Sequence, residues 1–363
     1  MKLVHVIYDH PKNPWLGGGG AVRAFLINEG LAAQGEEVHM VCGGFPGCQQ
    51  TENPFPVHFT PAVKSYPVSR LLFSLFVAKV TIRLKPDIVV DDASCYSPSF
   101  MVFFPKFLRI GMNHGLNGPS AKRKFPIIGH GIAAYEKWNL KKAHHLIAVS
   151  PSTEQTLWEW GRGQESTTLI PAGVYQPVIE PKSEEQRTED FLFMGRLETY
   201  HKGLDLLADF WKSYHVEFPA SNLLIAGNGK DEEDIKTLFD GLPRVVFLGR
   251  IEKTEKEEWL SKSKLFLMPS RYEGWGIVAL EAMAYGTPVI GSDIDGLREA
   301  MDEGGVLLEN YSAEAMKKAI DQTKKKGSWS SLSAKAKQIS KKYQWEDVVE
   351  KTSRCYHSLL EKN

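Results

Sequence analysis

Cysteine is scarce in this chain. Cys42, Cys48, Cys95 and Cys355 are scattered through 363 residues. None forms a C-x-x-C pair and none stands at zinc-ligand spacing from a histidine, which excludes a disulfide framework and a structural zinc module. They read as free thiols in a reducing cytosol. Long apolar runs are absent too. The nearest candidate, Leu71-Leu72-Phe73-Ser74-Leu75-Phe76-Val77-Ala78, is interrupted by Lys79 and reads as a buried or interfacial helix. The opening Met1-Lys2-Leu3-Val4-His5-Val6-Ile7-Tyr8 is too short and too quickly polar for a signal peptide, so a cytoplasmic location is expected. Net charge is zero, with 44 Lys+Arg against 44 Asp+Glu, which gives no footprint for a nucleic-acid partner. Internal repeats and low-complexity tracts are missing, apart from the short run Lys324-Lys325-Lys326.

The composition that remains is globular, 42% hydrophobic and 24% charged, and the length exceeds what one core usually serves. Charge is uneven: residues 1–182 carry 18 Lys+Arg against 13 Asp+Glu, and residues 183–363 carry 26 against 31. The positive N-terminal half suits an anionic partner, such as a phospholipid surface or a phosphorylated acceptor; chance scatter of surface charge is the alternative.

Short apolar strands alternate with helical patterns. Leu3–Tyr8, Val38–Cys42, Asp87–Val90, Leu108–Met112 and Leu146–Val149 read as strands, with a helix after Gly17-Gly18-Gly19-Gly20 carrying Val22, Phe25, Leu26 and Leu31. The pattern restarts at Phe191–Met194, Leu223–Ala226, Val245–Leu248, Leu265–Met268 and Pro288–Gly291, with helices over 204–217, 231–239, 254–262 and 277–285. Strands apolar on both faces, separated by helices, predict two α/β domains with doubly wound parallel sheets. Pro171, Pro177 and Pro181 mark the join, and Trp345–Leu360 is a final amphipathic helix.

In such sheets, ligands bind beyond the carboxyl ends of the strands. Two motifs sit there. Gly195-Arg196-Leu197, then His201-Lys202-Gly203, places two cations after the strand at 191–194, suited to a diphosphate. After the strand at 265–268 comes Pro269-Ser270-Arg271-Tyr272-Glu273-Gly274-Trp275-Gly276-Ile277-Val278-Ala279-Leu280-Glu281. Here Gly274 and Gly276 permit close approach of backbone to a ligand, and the N–H groups of Ile277 and Val278 open a helix that can bind phosphate. Glu281, one to two turns on, can accept from a sugar hydroxyl. For each charged residue singly, a solvated surface group is the alternative. In the N-terminal half, Gly17–Gly20 lacks a following Lys-Ser/Thr and is no P-loop. Asp91-Asp92 is the one adjacent acidic pair near a strand end, and no further ligands accompany it, so no metal is expected.

Together these motifs resemble the retaining glycosyltransferases of family 4 (glycosyl transferases group 1), whose signature is Gly-Arg-Leu, Lys-Gly and two glutamates with seven residues between them, matched here by Glu273 and Glu281. The likeness runs through nearly the whole chain and is strongest over 190–300. One departure is that four residues, rather than the usual three, separate Leu197 from Lys202.

The resemblance implies the GT-B fold, two Rossmann-like domains facing across a cleft. The acceptor-binding domain would span 1–173, with a C-terminal helix at 346–363 packed back on it. The donor-binding domain would span 174–345. The residues at the reaction centre would be His114, Arg196, Lys202 and Glu273. Donor contacts would come from Gly18, Gly19, Arg196, Lys202, Arg250, Ile251, Glu273, Gly276, Ile277, Val278 and Glu281. Arg196 and Lys202 would neutralise the leaving diphosphate, Glu281 would hold the ribose, Glu273 would bond the transferred sugar, and Arg250-Ile251 would meet the base.

The implied activity is metal-independent and cofactor-independent. A sugar would move, with retention, from a nucleotide-diphosphate donor to a glycan, lipid-linked or small-molecule acceptor, with UDP-sugar favoured and GDP-sugar next. A non-catalytic sugar-nucleotide-binding relative, or a GT-B epimerase or synthase, is the alternative. Arg70, Lys79, Lys122-Arg123-Lys124 and Lys141-Lys142 offer a basic N-terminal face for peripheral contact with an anionic membrane.

Overall fold

Strands form where apolar, β-branched residues run without interruption, and their burial on both faces follows from helices packing on each side. The computed structural model describes residues 1–362 except Ala93, Cys95, Leu116 and Asn117, and leaves out the side chains of Pro119, Ser120 and Lys124. Cys95 and the Lys124 side chain therefore lie outside the described residues. Cys42, Cys48 and Cys355 are free thiols.

The chain divides into Met1–Ala172 with Trp345–Asn363, and Gly173–Gln344. In the first unit, strands β1 (Lys2–Val6), β2 (Glu37–Cys42), β3 (Val57–Phe59), β4 (Ile88–Asp92), β5 (Leu108–Asn113), β6 (His145–Ala148) and β7 (Thr167–Leu169) form one parallel sheet in the order β3-β2-β1-β4-β5-β6-β7. Its helices are α1 (Gly19–Ala33), α2 (Tyr66–Leu84), α3 (Gly118–Lys124), α4 (Gly129–Lys141) and α5 (Pro151–Glu159). In the second unit, β8 (Phe191–Met194), β9 (Leu223–Ala226), β10 (Val245–Gly249), β11 (Leu265–Met268), β12 (Val289–Gly291) and β13 (Gly305–Leu307) are parallel in the order β10-β9-β8-β11-β12-β13. Helices α6 (Thr199–Lys202), α7 (Leu204–Tyr214), α8 (Glu232–Leu238), α9 (Lys253–Lys262), α10 (Ile277–Ala284), α11 (Asp295–Met301), α12 (Ala313–Thr323) and α13 (Ser328–Ser340) accompany it. Both units are Rossmann-like.

These orders fix where ligands can go. In each sheet the chain winds outward one way and then returns to wind the other, so the winding direction reverses between β1 and β4, and between β8 and β11. Loops leaving the carboxyl ends of those neighbours diverge and open a crevice.

The sequence pattern missed β3, β7 and β13. Each has three residues and only partial burial, at or next to a sheet edge, too short for periodicity to show. Tyr8 lies beyond β1, in the loop that follows it.

The final helix, α14 (Trp345–Glu361), buries Trp345, Val348, Val349, Thr352 and Tyr356, a stripe at helical spacing. It packs on α1 within the first unit. Gly30 of α1 makes that approach possible: a Cβ there would sit 2.5 Å from Val349. At the far end, His357 meets Glu36 at 2.7 Å, and Glu36 also receives the N-terminal ammonium at 2.6 Å.

Two expectations follow. Gly30→Ala gains about 1 kcal/mol of helix propensity but overpacks the α1–α14 contact, and the net result is a loss of about 1–2 kcal/mol. Pairing it with Val349→Ala recovers most of that loss in a urea double-mutant cycle; additive losses would place the helix contact elsewhere. The second concerns His145, buried and bonded to Thr168 Oγ1 at 2.7 Å. Burial, reinforced by the charges of Arg162 and Lys362, pushes its imidazole down to about 4. Between the unfolded value near 6.5 and about 4, the unfolded chain binds a proton that the folded chain refuses. Stability is then full above pH ~6.5 and falls as pH drops, by up to about 1.4 kcal/mol per unit. Denaturation curves across that window should lose this slope in His145→Gln.

Candidate functional site

At the β8/β11 crevice, the first loop runs Gly195-Arg196-Leu197-Glu198 into α6. Lys202 is the last residue of α6, a single turn that ends at Gly203 with φ +68°. A Cβ at Gly203 would lie 1.9 Å from the carbonyl oxygen of Pro269, so only glycine lets this loop lie against the one after β11. Lys202 then projects over Gly195 and reaches Glu273 Oε1 at 2.5 Å. Ser270, fully buried, donates to the same oxygen at 2.8 Å. Glu198 holds His201 at 3.1 Å, and that bond, with the neighbouring positive charges, keeps its carboxyl down at about 2. Arg196 is exposed and makes no ion pair among the described residues.

Helix α10 begins at Gly276, in the left-handed region at φ +78°, with no side-chain cap. The positive end of the helix is thus formed by bare backbone, Ile277 and Val278 first. Glu281, on the same helix, accepts from Lys256 Nζ of α9 at 2.6 Å. Arg250 and Ile251 follow β10, an edge strand, with Arg250 exposed. The structure therefore joins Lys202 to Glu273 directly, and Glu281 to a lysine that sequence reasoning did not single out.

The two loops are locked from behind. Arg271 forks onto Asp205 at 2.8 and 2.6 Å, bonds the Tyr200 carbonyl at 3.0 Å, and stacks over Tyr200 and Tyr311. Tyr311 donates to the Pro269 carbonyl at 3.0 Å.

In the first unit, Asp9 shapes the glycine loop: its two oxygens accept from the N–H groups of Gly17 at 3.1 Å and Gly18 at 3.0 Å. Gly18 caps α1 without a side-chain bond, and Gly19 is the first residue of the helix. Gly20 faces the His114 ring, where a Cβ would sit 3.1 Å away. His114 Nε2 bonds Asp92 Oδ2 at 2.9 Å, and His5 lies 3.6 Å from the other oxygen. Burial pushes the Asp92 carboxyl upward, but the charges and hydrogen bonds of His114 and His5 outweigh that and hold it far below the usual carboxylate range.

Asp92 is thus a partner that sequence reasoning considered only as a metal ligand; its place at the end of β4, beside the residue after β5, was the available signal. Asp91 turns instead to Arg109 at 3.0 Å. Among the described residues, no group of three or more His, Cys, Asp and Glu side chains is arranged to hold a metal. Arg23, fully buried, donates to the Ile170 carbonyl at 2.6 Å and contacts Met112 Sδ, a structural role.

Known families match both units. The model described as Glycosyltransferase Family 4 matches residues 17–175, and that described as Glycosyl transferases group 1 matches 176–343. An uncharacterized glycosyltransferase of Methanocaldococcus jannaschii is 30% identical, covering 99% of both chains. A glycogen synthase of Mycobacterium tuberculosis is 29% identical over 98% of this chain and 94% of its own. Among solved structures, sucrose-phosphate synthase from Thermosynechococcus elongatus superimposes with a TM-score of 0.82 at 22% identity, covering all of both chains, which is a likeness of fold. With a near-full-length relative at this identity and a family model on each unit, the chain belongs to the group 1 glycosyltransferases of the family 4 type.

Proposed function

We propose that this glycosyltransferase takes a sugar from a nucleotide-diphosphate donor, a UDP-sugar first and a GDP-sugar next, and transfers it with retention and without a metal. The acceptor is a hydroxyl of a glycan, a lipid-linked sugar or a small molecule. The observation that carries the reading is the β8/β11 crevice, where Arg196, Lys202 and the uncapped start of α10 gather positive charge beside Glu273. In the transfer, the bond from the anomeric carbon to the diphosphate oxygen breaks, and the bond to the acceptor oxygen forms on the same face. The acceptor proton passes to the departing phosphate. Charge builds on that phosphate in an oxocarbenium-like transition state, so fixed cations and helix N–H groups are the main lever.

Lys202 exchanges Glu273 for the diphosphate when the donor arrives, and Glu273 then serves the sugar hydroxyls. Glu281 holds the ribose, and Arg250-Ile251 meets the base. With Nε2 of His114 bonded to Asp92, Nδ1 is left for the transferred sugar. A non-catalytic relative would have no need to keep all four of Arg196, Lys202, Glu273 and Glu281.

Peripheral membrane contact is part of this proposal. Helix α2 contains no acidic residue and exposes Val68, Leu71, Leu75 and Phe76 in a stripe that continues into Lys79 and Arg83. No helix among the described residues is long and apolar enough to cross a membrane. An apolar stripe flanked by cations suits the surface of an anionic bilayer.

Three variants test the donor site in EDTA. In wild type, the matching nucleotide diphosphate at ~100 times its dissociation constant raises stability by about 2.7 kcal/mol, read as a thermal shift. Lys202→Ala abolishes that shift, and Arg196→Ala slows transfer about a hundredfold or more. Glu273→Gln keeps or strengthens the shift, because Lys202 loses its internal competitor, while transfer still falls about a hundredfold. A shift that survives in Lys202→Ala, or that needs a divalent metal, contradicts the assignment. For the surface, Leu71→Asp with Leu75→Asp should lower cosedimentation with phosphatidylglycerol vesicles while leaving nucleotide binding intact; equal cosedimentation excludes α2 as the contact.

A further inference from the structure

Arg70 stands nine residues before Lys79 on α2, two and a half turns, so the two point to opposite sides of the helix. Its guanidinium leaves the exposed stripe and turns toward the loops after β1 and β4. Nε donates to Ser97 Oγ at 2.8 Å, and Nη1 donates to Tyr66 Oη at 3.1 Å. The carbon between them lies 5.7 Å from the centre of the Tyr8 ring and 5.4 Å from those of Tyr66 and Tyr96. The ring of Trp15, from the glycine loop, lies 5.6 Å from Tyr66.

This is a half-buried cation without a counter-charge. No carboxylate lies within ion-pair distance of Arg70 among the described residues, and Nη2 has no hydrogen-bond partner there. Nη2 is also not among the atoms sealed from solvent. Tyr8 cannot supply the charge, since burial pushes its phenol up to about 12. The nearby Asp9 carboxylate is engaged by the glycine-loop N–H groups. Withdrawing a charge from water without an opposite charge is costly, and here two hydrogen bonds hold the guanidinium plane so that its outer edge stays available. Such an edge takes the oxygens of a phosphate in a fork. The position is also the one where a ligand is expected: Tyr8 follows β1, Tyr96 and Ser97 follow β4, and the first sheet reverses its winding between those two strands.

We propose that Arg70 is an acceptor-recognition residue that binds a phosphate group carried by the acceptor, with Tyr66 and Trp15 beside it for the sugar or polyol that bears the phosphate. This rests on the transferase reading above and adds the acceptor's chemical class. The phosphate has two possible carriers, a soluble sugar phosphate or a phospholipid headgroup.

The experiment measures binding of glucose 6-phosphate, with glucose as the uncharged control. In parallel it measures binding of phosphatidylcholine vesicles with and without phosphatidylinositol. Both are run on the full chain with saturating UDP, so that the donor cradle is filled. Expected is a phosphate-dependent affinity that falls at least tenfold in Arg70→Met with the UDP shift unchanged. In Arg70→Lys, which keeps the charge but lacks the fork, it falls by a smaller factor. Response to glucose 6-phosphate alone assigns a soluble acceptor; response to phosphatidylinositol vesicles alone assigns a lipid.

Equal affinity in wild type and Arg70→Met, or no phosphate-dependent binding in wild type, overturns the proposal. Should Arg70→Met fail to fold, undiminished binding by Arg70→Lys overturns it. Should UDP itself not bind, the donor reading fails, and the Arg70 comparison is made in the Lys202→Ala background, where phosphate cannot use the donor cradle.

Discussion

The contact between Lys202 and Glu273 is the point on which the second unit is organised. A cation and a carboxylate meet at 2.5 Å although their loops leave strands on opposite sides of a winding reversal, 71 residues apart. Diverging loops do not meet unaided. They meet here because Gly203 takes a left-handed turn against the Pro269 carbonyl, and because the Arg271–Asp205 fork and Tyr311 tie the two loops from behind. A partly exposed ion pair adds little to stability. On the donor reading proposed above, its weight lies in holding two opposite charges within reach of one ligand. The pair keeps the lysine extended and the glutamate oriented, so on that same reading a donor would exchange partners rather than order loose side chains.

The first unit uses the same device in a drier setting. Asp92 is buried at the end of β4, and its carboxylate remains ionised because His5 and His114 face its two oxygens. Leaving that charge without either histidine would be strongly destabilising, so the three side chains constrain one another. The consequence is a His114 ring that is fixed on one side by Asp92 and on another by the backbone of α1 at Gly20. Arg23, beneath the same helix, spends its donors on a carbonyl and a sulfur. Its burial lowers the guanidinium to about 10, with Asp92 providing the largest opposing influence.

How much of this the sequence disclosed depends on how far each feature reaches along the chain. The central strands β1, β4, β8 and β11 are continuous apolar runs and were legible, as were the cations and glutamates that follow β8 and β11. The short edge strands β3, β7 and β13 were not, because three partly exposed residues carry no period. Partner choice was the other blind spot. Lys256 meets Glu281 across 25 residues and Asp92 meets His114 across 22, pairings that become visible only when the order of strands is known. Arg70 is a different case. Composition groups it with Lys79 as part of a basic face, but helical geometry alone separates the two by half a turn, so that assignment was correctable from the sequence.

That separation lets α2 do two things at once. Val68, Leu71 and Leu75 mark its outward stripe, while Ser69, Phe73 and Val77 pack inward, and Arg70 stands at the border between the two, half-buried among tyrosines. A helix with only a core face would normally cover its outside with charge; this one keeps apolar side chains there and places its cations late, at Lys79 and Arg83. The cation at the border is therefore neither a solubilising group nor part of an internal ion pair. If the outward stripe rests on lipid, a phosphate at Arg70 lies one residue's rotation from that surface, and headgroup recognition and membrane contact become two faces of one helix. If it does not, the same arginine still leaves a bare cation edge at the strand ends. On either branch, the cation that the proposal uses is placed by the geometry of this helix and not by the excess of positive charge in the first half of the chain.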